Sequence, residues 1–152
     1  MRPTLLAVPV ALLAAAPPAA AQDNLVTKVG PLELRRIALR FDRDTRDVSA
    51  NQNGNLYELK SPNGRDTALL TVEGKSQETL RIYTRVKGET TLRKVNTWNR
   101  DKIHGRAYLD ADDGIVFEAT LWLRGGVSSL NIREWIDLHF GQLQAFKDFI
   151  RE

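Results

Sequence analysis

Apolar residues recur along this chain with two periods, and the switches between them mark out the elements. Leu34, Ile37, Ala38 and Phe41 stand at helical spacing with Arg35, Arg36 and Arg40 between them. Pro31 suits a first helical turn, so the pattern predicts a short amphipathic helix over residues 31 to 42. Residues 42 to 54 are polar and read mostly as loop. Strands are expected at Leu56 to Lys60 and Thr67 to Glu73, separated by the turn set Ser61-Pro62-Asn63-Gly64. Gly74-Lys75-Ser76 turns the chain again. Leu80, Ile82, Thr84 and Val86 then alternate with Arg81, Tyr83 and Arg85, a third strand with one apolar face.

Thr90 or Thr91 can cap the next helix, which carries Leu92, Val95 and Trp98 on one side. Gly105 precedes two more strands, near 106 to 111 and 115 to 123. A three-residue loop, Asp112-Asp113-Gly114, would pair Ala111 with Ile115, Leu109 with Phe117 and Ala107 with Ala119. One face is then wholly apolar, and the other carries Arg106, Tyr108, Asp110, Glu118 and Thr120. Register follows the buried face, which predicts a type I turn with Gly114 left-handed and a bulge. The last helix is capped by Ser128, Ser129 or Asn131. Its stripe is Ile132, Trp135, Ile136, Phe140, Leu143, Phe146 and Ile150. Gly141 falls on the opposite side, where it weakens the helix by about 1 kcal/mol relative to alanine. The predicted order is α-β-β-β-α-β-β-α. That is an α+β fold, an antiparallel sheet with helices packed on one face.

The amino-terminal stretch changes the picture of compartment. Arg2, an apolar run over residues 5 to 16, Pro17-Pro18 and Ala19-Ala20-Ala21 follow the three-part plan of a signal peptide cleaved before Gln22. The run is too short to span a bilayer, which needs about 20 residues. The expected organisation is a signal peptide over 1 to 21, a short leader over 22 to 30, and one domain over 31 to 152 in the periplasm or outside the cell. The formal charge is +3, and losing Arg2 leaves +2. Basic and acidic residues are interspersed, with no cluster fit for nucleic acid. Cysteine is absent, which removes thiol chemistry and cysteine-based zinc sites.

Candidate chemistry is sparse. His104 and His139 lie far apart in sequence, and His139 falls inside the last helix's apolar stripe, where a core histidine with one hydrogen bond is expected. The run from Asp110 to Gly114 resembles part of a calcium loop, but its glycine comes one residue early and no glutamate closes it. No nucleophile elbow or phosphate loop occurs. The reading is therefore of a protein that is not an enzyme, with no cofactor and no metal site.

One ordered set of residues is distinctive. Asn96-Thr97-Trp98-Asn99 is followed by Gly105-Arg106-Ala107-Tyr108-Leu109-Asp110, an apolar strand, Gly125-Gly126-Val127-Ser128, and a helix with Phe146 near its end. Over residues 90 to 151 this resembles the YbjN-domain family, described as putative bacterial sensory transduction regulators. The first half is similar in its pattern of helix and strands. The resemblance implies a fold similar to type III secretion chaperones, an α+β sandwich that often dimerises and binds other proteins. It carries over no catalytic residue. An exported member departs from the picture of a cytoplasmic regulator.

Asn96 and Asn99 either close a loop through backbone groups or hold a ligand. Trp98 is expected in the core, and Gly125-Gly126 in a tight strand-to-helix turn. Trp122 shares the outer face with Glu118 and Arg106. It either marks a partner surface or lies beneath another element. The expected partner is another protein, with a homodimer as one form of it. The main alternative is a small or amphipathic envelope ligand, and a third reading is an envelope hydrolase.

Overall fold

The computed structural model describes residues 25–49, 53–112 and 114–152. The expected signal peptide and its expected cleavage position fall outside the described residues. Nine elements follow in order: α1 (Pro31–Phe41), β1 (Arg46–Asp47), β2 (Leu56–Lys60), β3 (Thr67–Glu73), β4 (Thr79–Val86), α2 (Leu92–Asp101), β5 (Arg106–Leu109), β6 (Ile115–Trp122) and α3 (Ser129–Arg151). The strands form one antiparallel sheet in the order β1-β2-β3-β4-β6-β5. The fold is α+β. No helix among the described residues is long and apolar enough to cross a membrane.

Alternation along the strands decides which face is buried. Leu59, Leu70, Leu80, Ile82, Ile115 and Phe117 point to the helices and are almost wholly buried. α1 packs on β2 and β3, α3 on β4 and β6, and α2 on β5. α1 starts at Pro31 as expected, and both of the later helices have one of their predicted caps. Thr91 Oγ1 accepts from Lys94 N at 3.2 Å, and Ser128 Oγ accepts from Asn131 N at 3.1 Å. Trp98 from α2, Phe117 from β6 and Phe146 from α3 meet as a cluster, with ring centroids 5.2 to 6.1 Å apart.

Four expectations need correction. The β5–β6 register is displaced by two residues, to Leu109↔Ile115 and Ala107↔Phe117. Asp110 causes this. Its Oδ1 accepts from the amides of Asp112 (3.1 Å) and Gly114 (2.7 Å), so the loop closes at Asp110 and the ladder ends there. A shift of two preserves alternation, and the face assignments stand. The predicted turn type involves Asp113, outside the described residues. Second, the polar stretch after α1 contains β1, whose Arg46 and Asp47 pair with Glu58 and Tyr57. Third, residues 25 to 30, the described part of the stretch read as a leader, join the fold. Val26 bridges Val127, and Val29 is fully buried. Fourth, Leu92 is 63% exposed, while Val95 and Trp98 carry the packing of α2.

Two glycines test this account in opposite directions. Gly105 has φ +72°, and a Cβ there would stand 2.4 Å from Phe117 Cζ. Gly141 is helical, with nothing within 4 Å of a built Cβ. Gly141→Ala is expected to raise unfolding stability by about 1 kcal/mol. Gly105→Ala is expected to lower it by more than about 2 kcal/mol, through backbone strain and displacement of the ring. Urea unfolding of both variants checks the pair, and a stable Gly105→Ala would contradict the packing described.

Candidate binding surface

The face turned away from the helices carries a polar web. Arg81 on β4 is its centre. Its Nη1 donates to Glu73 at 2.9 Å, its Nε to Glu118 at 2.8 Å and its Nη2 to Tyr108 Oη at 2.9 Å. The guanidinium also lies 5.0 Å from the centroid of the Tyr83 ring. Arg106 approaches Glu118 from the other side at 3.3 Å. Burial alone would lower the Arg81 pKa, but the hydrogen bonds to Glu73 and Glu118 outweigh it and hold the pKa above its ordinary value. Glu118 is 7% exposed although no helix covers it, because arginine and tyrosine side chains roof it. Arg85 and Asp110 extend the web at 2.9 Å.

The residues singled out from sequence divide clearly. Trp122 ends β6 on this face and is 68% exposed, so no other element lies over it among the described residues. Arg106 is exposed and Glu118 is enclosed. Trp98 is in the core, its indole Nε1 donating to Gly105 O at 3.4 Å. Asn99 acts as a short stretch of strand. Its Nδ2 donates to Ala107 O at 2.8 Å and its Oδ1 accepts from Ala107 N at 2.9 Å. Asn96 is exposed. Tyr108 and Asp110 serve the web and the loop, and Gly125 and Gly126 turn the chain from β6 toward α3 with φ of +94° and +92°.

Sequence reasoning did not anticipate a groove of about 850 Å³ between the first half of α3, the end of β6 and the α2–β5 connection. Leu121, Trp135, Leu138 and Ile103 give it apolar walls, with Lys102 and His104 at one rim. Trp135 belongs to the apolar stripe of α3, and its partial exposure arises from this groove. His104 is exposed at the start of β5, and no hydrogen bond joins it to a carboxylate among the described residues. His139 lies at the groove's base. It is buried, with Nε2 3.2 Å from Thr84 Oγ1 and the Phe117 ring 5.3 Å away. Burial pushes its pKa down from 6.5 to about 4.

Residues 34–152 match the YbjN family model, described as "putative bacterial sensory transduction regulator". No curated protein matches the chain.

Asn99→Asp puts a carboxylate against the Ala107 carbonyl and is expected to cost about 1 to 3 kcal/mol in urea unfolding. Asn96→Asp should change stability by less than about 0.5 kcal/mol. Equal effects would deny Asn99 its structural role. His139 gives a pH signature. Between 6.5 and about 4 the unfolded chain binds a proton that the folded chain excludes. Stability from this group is therefore complete above that window and lost as pH falls through it. Wild type should lose about 2 to 3 kcal/mol more than His139→Leu between about pH 7 and about pH 4.5. Parallel unfolding curves for the two proteins would refute the assignment.

Proposed function

We propose a function from one premise: the chain belongs to the YbjN family. It is an exported, non-catalytic interaction or chaperone-like module of the bacterial envelope, and it works through the sheet face that the helices leave bare. The observation that carries this reading is Trp122, an indole 68% exposed beside a web of fixed charges. Tryptophan and arginine dominate binding hot spots, because each combines large contact area with directional polar groups. The web holds its arginines in place before any partner arrives, which lowers the ordering cost of association. The family description names a regulator, which agrees with action by contact. Export is supported by the leader pattern of the first 21 residues. The partner is another protein, and a second copy of the chain is one form of it.

A second reading, an amphipathic small-molecule ligand, is favoured by the groove, whose volume lies within the usual range for such pockets. One experiment addresses both. A photocrosslinking phenylalanine is placed at position 122 and, as a control, at exposed Leu32 on α1. A discrete protein adduct in the periplasmic fraction is expected from position 122 and not from 32. No adduct at 122, together with a co-purifying small molecule in native mass spectra, would overturn the interaction reading in favour of the ligand.

A further inference from the structure

Arg106 opposite Glu118 is the last pair that β5 makes with β6. β6 nevertheless runs on to Trp122, held on one side by β4 through Thr79↔Trp122. Two hydrogen bonds fix the direction of its peptide groups. Leu123 N donates to Glu78 O at 2.8 Å on the β4 side, and Asp110 N donates to Gly114 O at 2.9 Å on the β5 side. Peptide groups alternate along an antiparallel strand. Thr120 and Trp122 therefore turn N–H and C=O away from β4, into the space that β5, starting at Arg106, does not reach. Among the described residues no strand pairs with them there.

The other edges of the sheet are protected. On the outer side of β5 the Asn99 carboxamide already holds the N–H and C=O of Ala107. At the far edge β1 is two residues long, and both are charged and exposed. Short, charged or covered edges resist added strands. Residues 119–122 are uncharged, unpaired on the β5 side among the described residues, and bordered by the apolar groove.

We infer that residues 119–122 of β6 receive one extended segment of a partner protein as an added strand, antiparallel to β6 and in line with β5. This rests on the interaction reading above and names the chemistry of the partner. Such a segment starts beside Trp122 and finishes beside Arg106. Its side chains on the helix side meet Ile103, Trp135 and Leu138, so they are apolar at alternate positions. Its carboxyl-terminal end meets Lys102, His104 and Arg106. Lys102 has no carboxylate partner among the described residues, and Arg106 shares Glu118 with Arg81. That rim calls for acidic residues at the segment's end.

Amide hydrogen exchange on the purified protein tests this, with a synthetic peptide of alternating valine and threonine ending in aspartates. The control peptide ends in lysines. In the free protein the Thr120 and Trp122 amides should exchange as unprotected groups, while Leu121, which faces β4, is already protected. The acidic peptide should slow Thr120 and Trp122 by about tenfold or more, and the lysine peptide should not. Thr120→Pro removes an outward N–H and should weaken peptide binding by about tenfold. Ile103→Asp, at a side chain 95% exposed, makes the same test without touching the strand. Slow exchange at Thr120 and Trp122 without peptide would overturn the inference, since the edge would already be covered by the chain itself or a second copy. So would equal binding of the two peptides, or unchanged binding by Ile103→Asp. If the position-122 adduct persists in Thr120→Pro and Ile103→Asp, the edge inference falls and the interaction reading stands. If wild type gives no adduct, the interaction reading falls with it.

Discussion

The position of the Phe117 ring governs the helix side of the sheet. It leaves β6 fully buried, stacks on Phe146 of α3, meets Trp98 of α2 edge-on and borders His139. Its tip also occupies the space where any side chain at position 105 would begin. One ring therefore locates two helices and the turn that leads into β5. Removing a buried phenylalanine side chain costs about 3 to 5 kcal/mol. That is a large share of the net stability of a domain this size. The glycine at 105 is required by the ring as much as by its own left-handed backbone.

On the other side of the same strand the logic inverts. Phe117 points to the core and Glu118 to the bare face, yet both are almost wholly withdrawn from water. A carboxylate tolerates this when its lone pairs are taken, and Arg81 and Arg106 take them. The bare face is thus ordered without a covering layer. Its arginines are anchored to each other's partners, while Trp122 stands outside the web. Fixed charge around an exposed indole favours selective contact more than raw affinity.

The sequence made the elements legible wherever hydrophobic periodicity was strong. β2 and β3 begin and end where the alternation and turn residues place them, and α3 follows its stripe from the Ser128 cap. His139 was readable as a core histidine because it falls inside the apolar stripe of the last helix. What could not be read were features made by side chains acting as backbone. Asp110 collects two amides and shortens β5, which no hydrophobic pattern encodes. β1 has two charged residues and exists because β2 offers it an edge. The groove depends on where β5 starts, a tertiary fact. Leu92 shows the opposite failure, since an apolar residue at helical spacing can still face water when the helix is short and packs through two positions.

The Asn96-Thr97-Trp98-Asn99 motif connects these observations. Trp98 ties α2 to the Phe117 and Phe146 rings and to the Gly105 carbonyl. Its neighbour Asn99 is bonded to both backbone groups of Ala107. Together they bring the end of α2 against the start of β5, and left-handed Gly105 turns the chain out of the sheet there. β5 can then begin no earlier than Arg106, so it covers β6 only as far as Glu118. The same contacts that close one edge with an asparagine side chain leave the next four residues of β6 without a strand on the β5 side among the described residues. The open edge is therefore a consequence of the motif that holds the fold together, and any change that let β5 start earlier would have to dislodge Trp98 first.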